Sequence, residues 1–150
     1  MTDPAKTLQV LRKALLWILL LAMTGTAGEL FLLQHTEDAS QLIPLSLIGA
    51  AYVVIGWNAL EPSRLSMTVM RLLMSLFVVS GILGLYFHYN ANLEFQQEME
   101  PTLSGGNLLL KVLRAKTPPA LAPGVMVQLG LIGLAYTYRQ PLPDLEGEKE

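Results

Sequence analysis

Four long segments of this chain are almost free of charged side chains, and they constrain the fold more than any other feature. They cover residues 14–33, 42–60, 67–87 and 119–138. A bilayer core of about 30 Å takes roughly 20 helical residues to cross. Backbone groups in lipid must pair within their own segment, so each segment is expected to be a helix. None alternates apolar and polar residues as a membrane β-strand does. The sequence predicts an all-α integral membrane protein, a four-transmembrane-helix bundle.

Composition agrees with a chain whose solvent is largely lipid. Of the 150 residues, 52% are hydrophobic and 15% are charged, whereas soluble domains carry roughly 25% charged residues. The net charge of −2 offers no basic surface for nucleic acid. The chain has no cysteine, which excludes disulfides, thiolate metal ligands and thiol catalysis. We expect a single membrane domain over residues 1–150.

The first segment has an alternative interpretation as a cleaved signal peptide. Basic residues precede its apolar run, and the small residues 24–28 follow it, in the order typical of a secretory signal. The apolar run then resumes at residues 30–33, which favours a retained membrane helix.

Lysine and arginine are distributed unevenly between the two sides of the predicted bundle. The side that holds the N-terminus has Lys6, Arg12, Lys13, Arg64, Arg71, Arg139 and Lys149. The other side has Lys111, Arg114 and Lys116. Because basic loops stay in the cytoplasm, we expect both termini and the tail 139–150 to be cytoplasmic. A short, cysteine-free chain without an organelle signal suggests a multi-pass protein of the plasma membrane, the bacterial inner membrane.

Residues 88–118 are the one long segment expected outside the lipid, and we interpret them as an outer lid. Asn107 is a plausible N-cap for a short interfacial helix whose apolar stripe is Leu109, Val112 and Leu113. Such a helix lies between water and headgroups. Its simpler role is to cap the bundle; the alternative is a docking surface for a partner subunit.

Small residues recur at helical spacing in every span. They are Ala22, Gly25 and Gly28, then Gly49 and Gly56, then Ser80, Gly81 and Gly84, and finally Gly130 and Gly133. Small residues let membrane helices approach closely. We expect most of these faces to pack within the bundle, and the alternative is contact with another copy or a larger complex.

Polar residues cluster at the predicted outer end. Two histidines with carboxylates are a ligand set for zinc, iron or copper, so a divalent metal is a possible cofactor. The candidate ligands are His35, Glu37, His88, Glu94 and Glu98. Their spacing matches no compact ligand motif such as HExxH, and polar residues belong at a membrane interface in any case.

Two charged residues lie inside the predicted spans. Glu29 is a candidate for proton or ion binding, since an acid within a span is costly, with His88, Lys111 or Arg114 as possible partners. It lies near the outer boundary, where hydration is a simpler explanation. We expect Arg71 to extend its charge to the inner surface; the alternative is a buried counter-ion.

No phosphate-binding glycine loop and no GxSxG nucleophile motif is present in the sequence. The sequence therefore favours a non-catalytic membrane protein, an accessory or assembly subunit or a small homo-oligomer. Its expected partners are the lipid bilayer and other membrane subunits or its own copies. One alternative is a proton- or ion-coupled carrier that uses Glu29. The other is a metal- or quinone-handling enzyme that uses His35, His88 and Glu94.

Overall fold

The computed structural model describes residues 3–34, 38–115 and 121–140, and these residues form helices joined by short connections. The helices are α1 (Pro4–Leu32), α2 (Leu42–Leu60), α3 (Arg64–Met99), α4 (Gly105–Leu113) and α5 (Leu121–Thr137). No β-strand occurs within the described ranges. The prediction of an all-helical protein is confirmed.

Three helices are long and apolar enough to cross a membrane. These are α1, α2 and α3. The described apolar segment of α5, Pro123–Thr137, is shorter than these three. Length and composition therefore indicate a membrane-associated protein with three helices of spanning length.

The helices form a bundle in which α3 is central. It packs most extensively against α5 and then against α2, while α1 packs mainly against α5 and only slightly against α2. The core is built from leucine, methionine, other aliphatic side chains and one phenylalanine, and all four of these helices contribute to it. Its most buried members include Leu19, Met23, Ile48, Met74, Phe77 and Leu129.

Glycines let α3 and α5 approach closely. A Cβ added at Gly130 would lie 2.6 Å from the backbone oxygen of Met74, and one at Gly81 would lie 2.7 Å from that of Pro123. Such distances leave no room for a methyl group at either position. The expectation that small residues pack within the bundle is thus confirmed for α3 and α5.

The turn between α2 and α3 is closed by short polar side chains. Ser63 is the N-cap of α3, and its side chain accepts a bond from the Ser66 backbone N–H while the Ser66 hydroxyl accepts one from the Ser63 N–H. The Ser66 hydroxyl also lies 3.0 Å from Oδ1 of the buried Asn58. This reciprocal capping box fixes the start of α3 directly after the short connection from α2.

Two arginines converge on the carboxyl end of α5. Arg71 of α3 donates to the carbonyl oxygen of Thr137 at 2.9 Å. Arg12 of α1 donates to those of Tyr138 and Arg139 at 3.1 and 2.7 Å. The last carbonyls of a helix lack partners within it and carry partial negative charge. Both positively charged guanidinium groups are therefore stabilised at this end of α5. Arg71 contacts backbone oxygen here rather than a carboxylate.

The structure differs from the sequence prediction around the outer lid. The third span was predicted to end at residue 87, but α3 continues without a break to Met99. Asn107 was predicted as an N-cap, and that was wrong, because α4 begins at Gly105 with Ser104 in the cap position. Gly105 has a φ of +62°, a conformation that glycine adopts without strain, and the helix starts three residues earlier than a cap at Asn107 would place it.

Candidate functional site

A cavity of about 560 Å³ lies among α1, α2, α3 and α5 at the end of the bundle where α1 ends and α2 begins. We call this the α1–α2 end. Most of its wall is apolar: Leu30, Ile43, Pro44, Leu47, Leu76, Val79, Leu83, Phe87, Pro123 and Met126. The polar lining residues are Thr26, Ser40, Gln41, Ser80 and His88. A volume of this size is typical of small-molecule sites, roughly 300–1,000 Å³.

Three of the five polar lining residues lie at the α1–α2 end, while Thr26 and Ser80 lie deeper, on α1 and α3. Ser40 and Gln41 come directly before α2, and His88 lies 12 residues beyond Leu76 on α3. At 1.5 Å per residue, His88 and Leu76 are separated by about 18 Å along the helix axis. None of the described lining residues is an Asp, Glu, Lys or Arg. The cavity is therefore a largely apolar trough with a polar mouth.

Helix α3 supplies the longest wall of the cavity because of its residue spacing. Leu76, Val79, Leu83 and Phe87 recur every three or four residues, which places them on one face of the helix. Gly84 continues that face, and a Cβ there would lie 3.0 Å from Pro123. The first turn of α5 thus closes against α3 at one side of the trough.

Glu29 lies on α1 outside the cavity. Its side chain is exposed, and its neighbour Leu30 faces the trough instead. Lys111, one of its possible partners, forms an ion pair with Glu100. The role of Glu29 in proton or ion binding stays a prediction.

Of the predicted metal ligands, His88, Glu94 and Glu98 lie on α3 within the described residues. His88 lines the cavity, whereas Glu94 and Glu98 are exposed farther along α3. On a continuous helix, six residues separate His88 from Glu94 by about 9 Å in height and about 120° in direction. No group of three potential ligands occurs among the residues that the structure describes. His35 and Glu37 lie outside those residues, so the metal site stays a prediction.

The predicted interfacial helix is present as α4, and it packs back onto the extended end of α3. Val112 is completely buried, while Leu109, Leu110 and Leu113 are about half exposed. The Lys111–Glu100 ion pair joins α4 to the end of α3. Of the predicted stripe, Val112 is thus an internal contact, and the leucines beside it form an exposed apolar surface.

The glycines of α1 and α2 have different surroundings from the tightly packed glycines of α3 and α5. A Cβ at Gly25, Gly28, Gly49 or Gly56 would meet no atom of the described residues within 4 Å, and all four residues are exposed. The expectation that these glycines pack within the bundle was wrong. The reason is the loose contact between α1 and α2, which leaves one side of each helix without a neighbour in the part of the chain that the structure describes.

The exposed glycines form one continuous surface. On α1 the row is Leu21, Gly25, Gly28 and Leu32; on α2 it is Gly49, Val53, Gly56 and Leu60. We call these two rows the α1–α2 face.

The two rows point to the same side of the molecule. Thr24 and Tyr52 hydroxyls lie 2.6 Å apart and fix the register between the helices. Viewed down the helix axis at 3.6 residues per turn, the centre of the α1 row lies about 70° from Thr24. The centre of the α2 row lies about 70° from Tyr52 in the same rotational sense along the chain. Because a short connection makes the helices antiparallel, equal rotations turn both rows toward one side. The buried residues of α1 and α2 lie on the opposite side.

Sequence reasoning missed the cavity, although its α3 wall has a readable signal. The apolar residues from Leu76 to Phe87 have helical spacing and end at His88. What the sequence lacks is the order of helices round the bundle, which decides whether that face meets a neighbour or a space.

No family model, curated protein or solved structure matches this chain. The proposals below therefore rest on the residues and geometry described above.

Proposed function

We propose that this chain is a non-catalytic, multi-pass membrane protein that works as an accessory or assembly subunit, or as a small homo-oligomer. The observation that carries the proposal is the α1–α2 face. Among residues 3–34, 38–115 and 121–140, nothing lies before its four glycines, whereas Gly81 and Gly130 sit against a neighbouring helix. Since small residues promote close packing between membrane helices, the face suits a helix from another polypeptide.

Hydroxyl groups in the middle of the first two spans support the same conclusion. Thr24 is exposed, and Tyr52 retains 38% of its surface. Their mutual hydrogen bond and the bonds to the Leu20 carbonyl oxygen satisfy them within the pair. Covering them with a packed helix costs little, and polar groups of this kind hold membrane helices together.

The proposal includes four spans with both termini in the cytoplasm of a bacterial inner membrane. Support comes from Arg12, near the start of α1, which binds the carbonyls of Tyr138 and Arg139 just after α5. The start of the first helix and the end of the last one thus lie at the same end of the bundle, as an even number of crossings requires. The same end is rich in lysine and arginine, in line with the positive-inside rule.

Site-specific photo-crosslinking tests the proposed interface. A photoreactive amino acid is placed at Val53, which lies between Gly49 and Gly56 and is 73% exposed. The matched control is Leu72 of α3, which is 62% exposed on another side of the bundle. We expect irradiation of intact membranes to give one discrete protein adduct from position 53 and none from position 72.

The mass of the adduct separates the two forms of the proposal. An adduct of two copies makes the protein a homo-oligomer, and an adduct with a different chain makes it a subunit of a larger assembly. In either case the adduct must disappear when Gly49 and Gly56 are both changed to Leu. Lipid adducts alone at position 53, or equal protein adducts at both positions, would overturn the proposal.

A further inference from the structure

We propose that the cavity among α1, α2, α3 and α5 holds one acyl chain of a membrane phospholipid, with the headgroup end at Gln41 and His88. This inference concerns a ligand and a surface that the assembly proposal does not use. The two share only the premise that the helices lie in a bilayer.

The length of the trough fits one acyl chain. From His88 to Leu76 it extends along α3 for about 18 Å. One leaflet of a hydrocarbon core of about 30 Å is about 15 Å deep. A chain that enters at the polar mouth therefore reaches the apolar end of the trough at the depth of the bilayer centre.

The chemistry of the trough fits an ester-linked lipid. Apolar side chains line its length, and the mouth carries the amide of Gln41, the hydroxyl of Ser40 and the imidazole of His88. A polar mouth of this kind lies at the level of a lipid's ester groups, while the trough below it suits the acyl chain. Because the described lining includes no fixed charge, the charged part of the headgroup stays in the interface, outside the trough.

The open side of the trough points to the bilayer as the source of the chain. Val79, Leu76 and Phe87 line it yet are 52%, 53% and 61% exposed. A lipid chain moves into such a site sideways without leaving its leaflet. An apolar wall that is half open to hydrocarbon is a poor match for a solute that arrives from water, which would gain little from incomplete burial.

The test uses a phosphatidylethanolamine with a diazirine near the end of one acyl chain. The protein is reconstituted in vesicles that contain it, irradiated and digested, and the labelled peptides are identified by mass spectrometry. We expect the label to concentrate on the peptide with Leu76 and Val79. A second lipid, with the diazirine at the headgroup, should label residues near Ser40 and His88 instead.

Matched tryptophan variants show whether the labelled peptides were reached by a lipid chain that lies in the trough. Val79→Trp fills it, whereas Ile82→Trp places the same side chain on α3 at a residue that is 54% exposed and outside the lining. We expect chain-end labelling of the other trough peptides to fall about tenfold in the first variant, which corresponds to about 1.4 kcal/mol of binding free energy, and to stay unchanged in the second. The pair Leu47→Trp and Ser46→Trp repeats the comparison on α2 if Val79→Trp does not fold.

Labelling spread evenly over all lipid-facing helices, or labelling that both tryptophan variants leave unchanged, would overturn the proposal. Carbonate extraction of the same membranes tests the shared premise separately. A protein that stays in the pellet but shows no preferred label would contradict the lipid site alone. Release into the supernatant would contradict both proposals.

Discussion

At the scale of single residues, glycine has opposite surroundings in different helices of this protein. Gly130 faces the backbone of α3, and Gly25 faces open space. The same residue type is therefore an internal packing requirement in α5 and a free surface position in α1. Substitution to alanine distinguishes the two environments because it adds a single methyl group.

Gly130→Ala is expected to lower the free energy of unfolding by about 1–3 kcal/mol, the usual cost of overfilling a packed core. The added Cβ would approach the Met74 carbonyl oxygen and the Val78 side chain, both at 2.6 Å. Gly25→Ala is the control, and we expect it to keep or raise stability, since alanine favours a helix over glycine by roughly 0.5–1 kcal/mol. Unfolding in mixed detergent measures both variants. Equal effects would contradict the close approach of α3 and α5.

Arg71 gives a second prediction at this scale. Arg71→Met removes the hydrogen bond to the Thr137 carbonyl oxygen but keeps much of the apolar stem. Bonds of charged groups contribute about 1.5–3 kcal/mol, and we expect a loss of that order in the same unfolding measurement. Arg64→Met is the control, as this arginine is exposed at the start of the same helix. No difference between the variants would show that the contact does not stabilise the bundle.

At the scale of elements, α3 is the helix that sequence reasoning described least well. The predicted second span, residues 42–60, coincides with α2, because its apolar residues and its helix end at the same place. In α3 they do not. The segment from His88 to Met99 is polar but contains good helix formers such as Glu, Gln and Leu, so the apolar pattern stops while the helix continues.

The contact between α4 and the extended end of α3 depends on Val112, and a substitution there tests it. Val112→Asp places a charge at a completely buried position, and burial of an unpaired charge is strongly unfavourable. We expect α4 to detach and trypsin to cleave after Lys111 and Arg114 about tenfold faster, because cleavage follows the open population. The rest of the bundle should keep its helical content.

Leu110→Asp is the control for this experiment, since it puts the same charge beside Lys111 at a residue that is 49% exposed. It should leave the rate of cleavage near that of the original protein. Fast cleavage in both variants would indicate that α4 is not held by Val112.

The candidate site was predictable only in part, because the sequence does not show which helices face each other. His88 was a candidate from the sequence and does line the cavity, whereas Glu29 lies outside it. Periodicity tells which residues share a helix face. It does not tell which helix stands opposite, and the cavity and the α1–α2 face both depend on that order.

At the scale of the whole molecule, the topology is the first property to establish. The absence of cysteine makes single-cysteine labelling clean. With four spans, Asp3→Cys and Lys149→Cys should both be protected from a membrane-impermeant maleimide in intact cells, and Asn107→Cys should react. Three spans would place residues 3 and 149 on opposite sides, and only one of them would then be protected.

If this protein works in an assembly built on the α1–α2 face, native mass spectrometry should detect that assembly. The protein is released gently from its own membranes and compared with a variant in which Gly25 and Gly28 are both Leu. We predict a mass that exceeds the 16.5 kDa chain by further copies or other subunits, and a return to the single chain in the variant. A single chain from the unaltered protein would contradict the claim, and one that carries a metal ion would favour the histidine and carboxylate cluster instead.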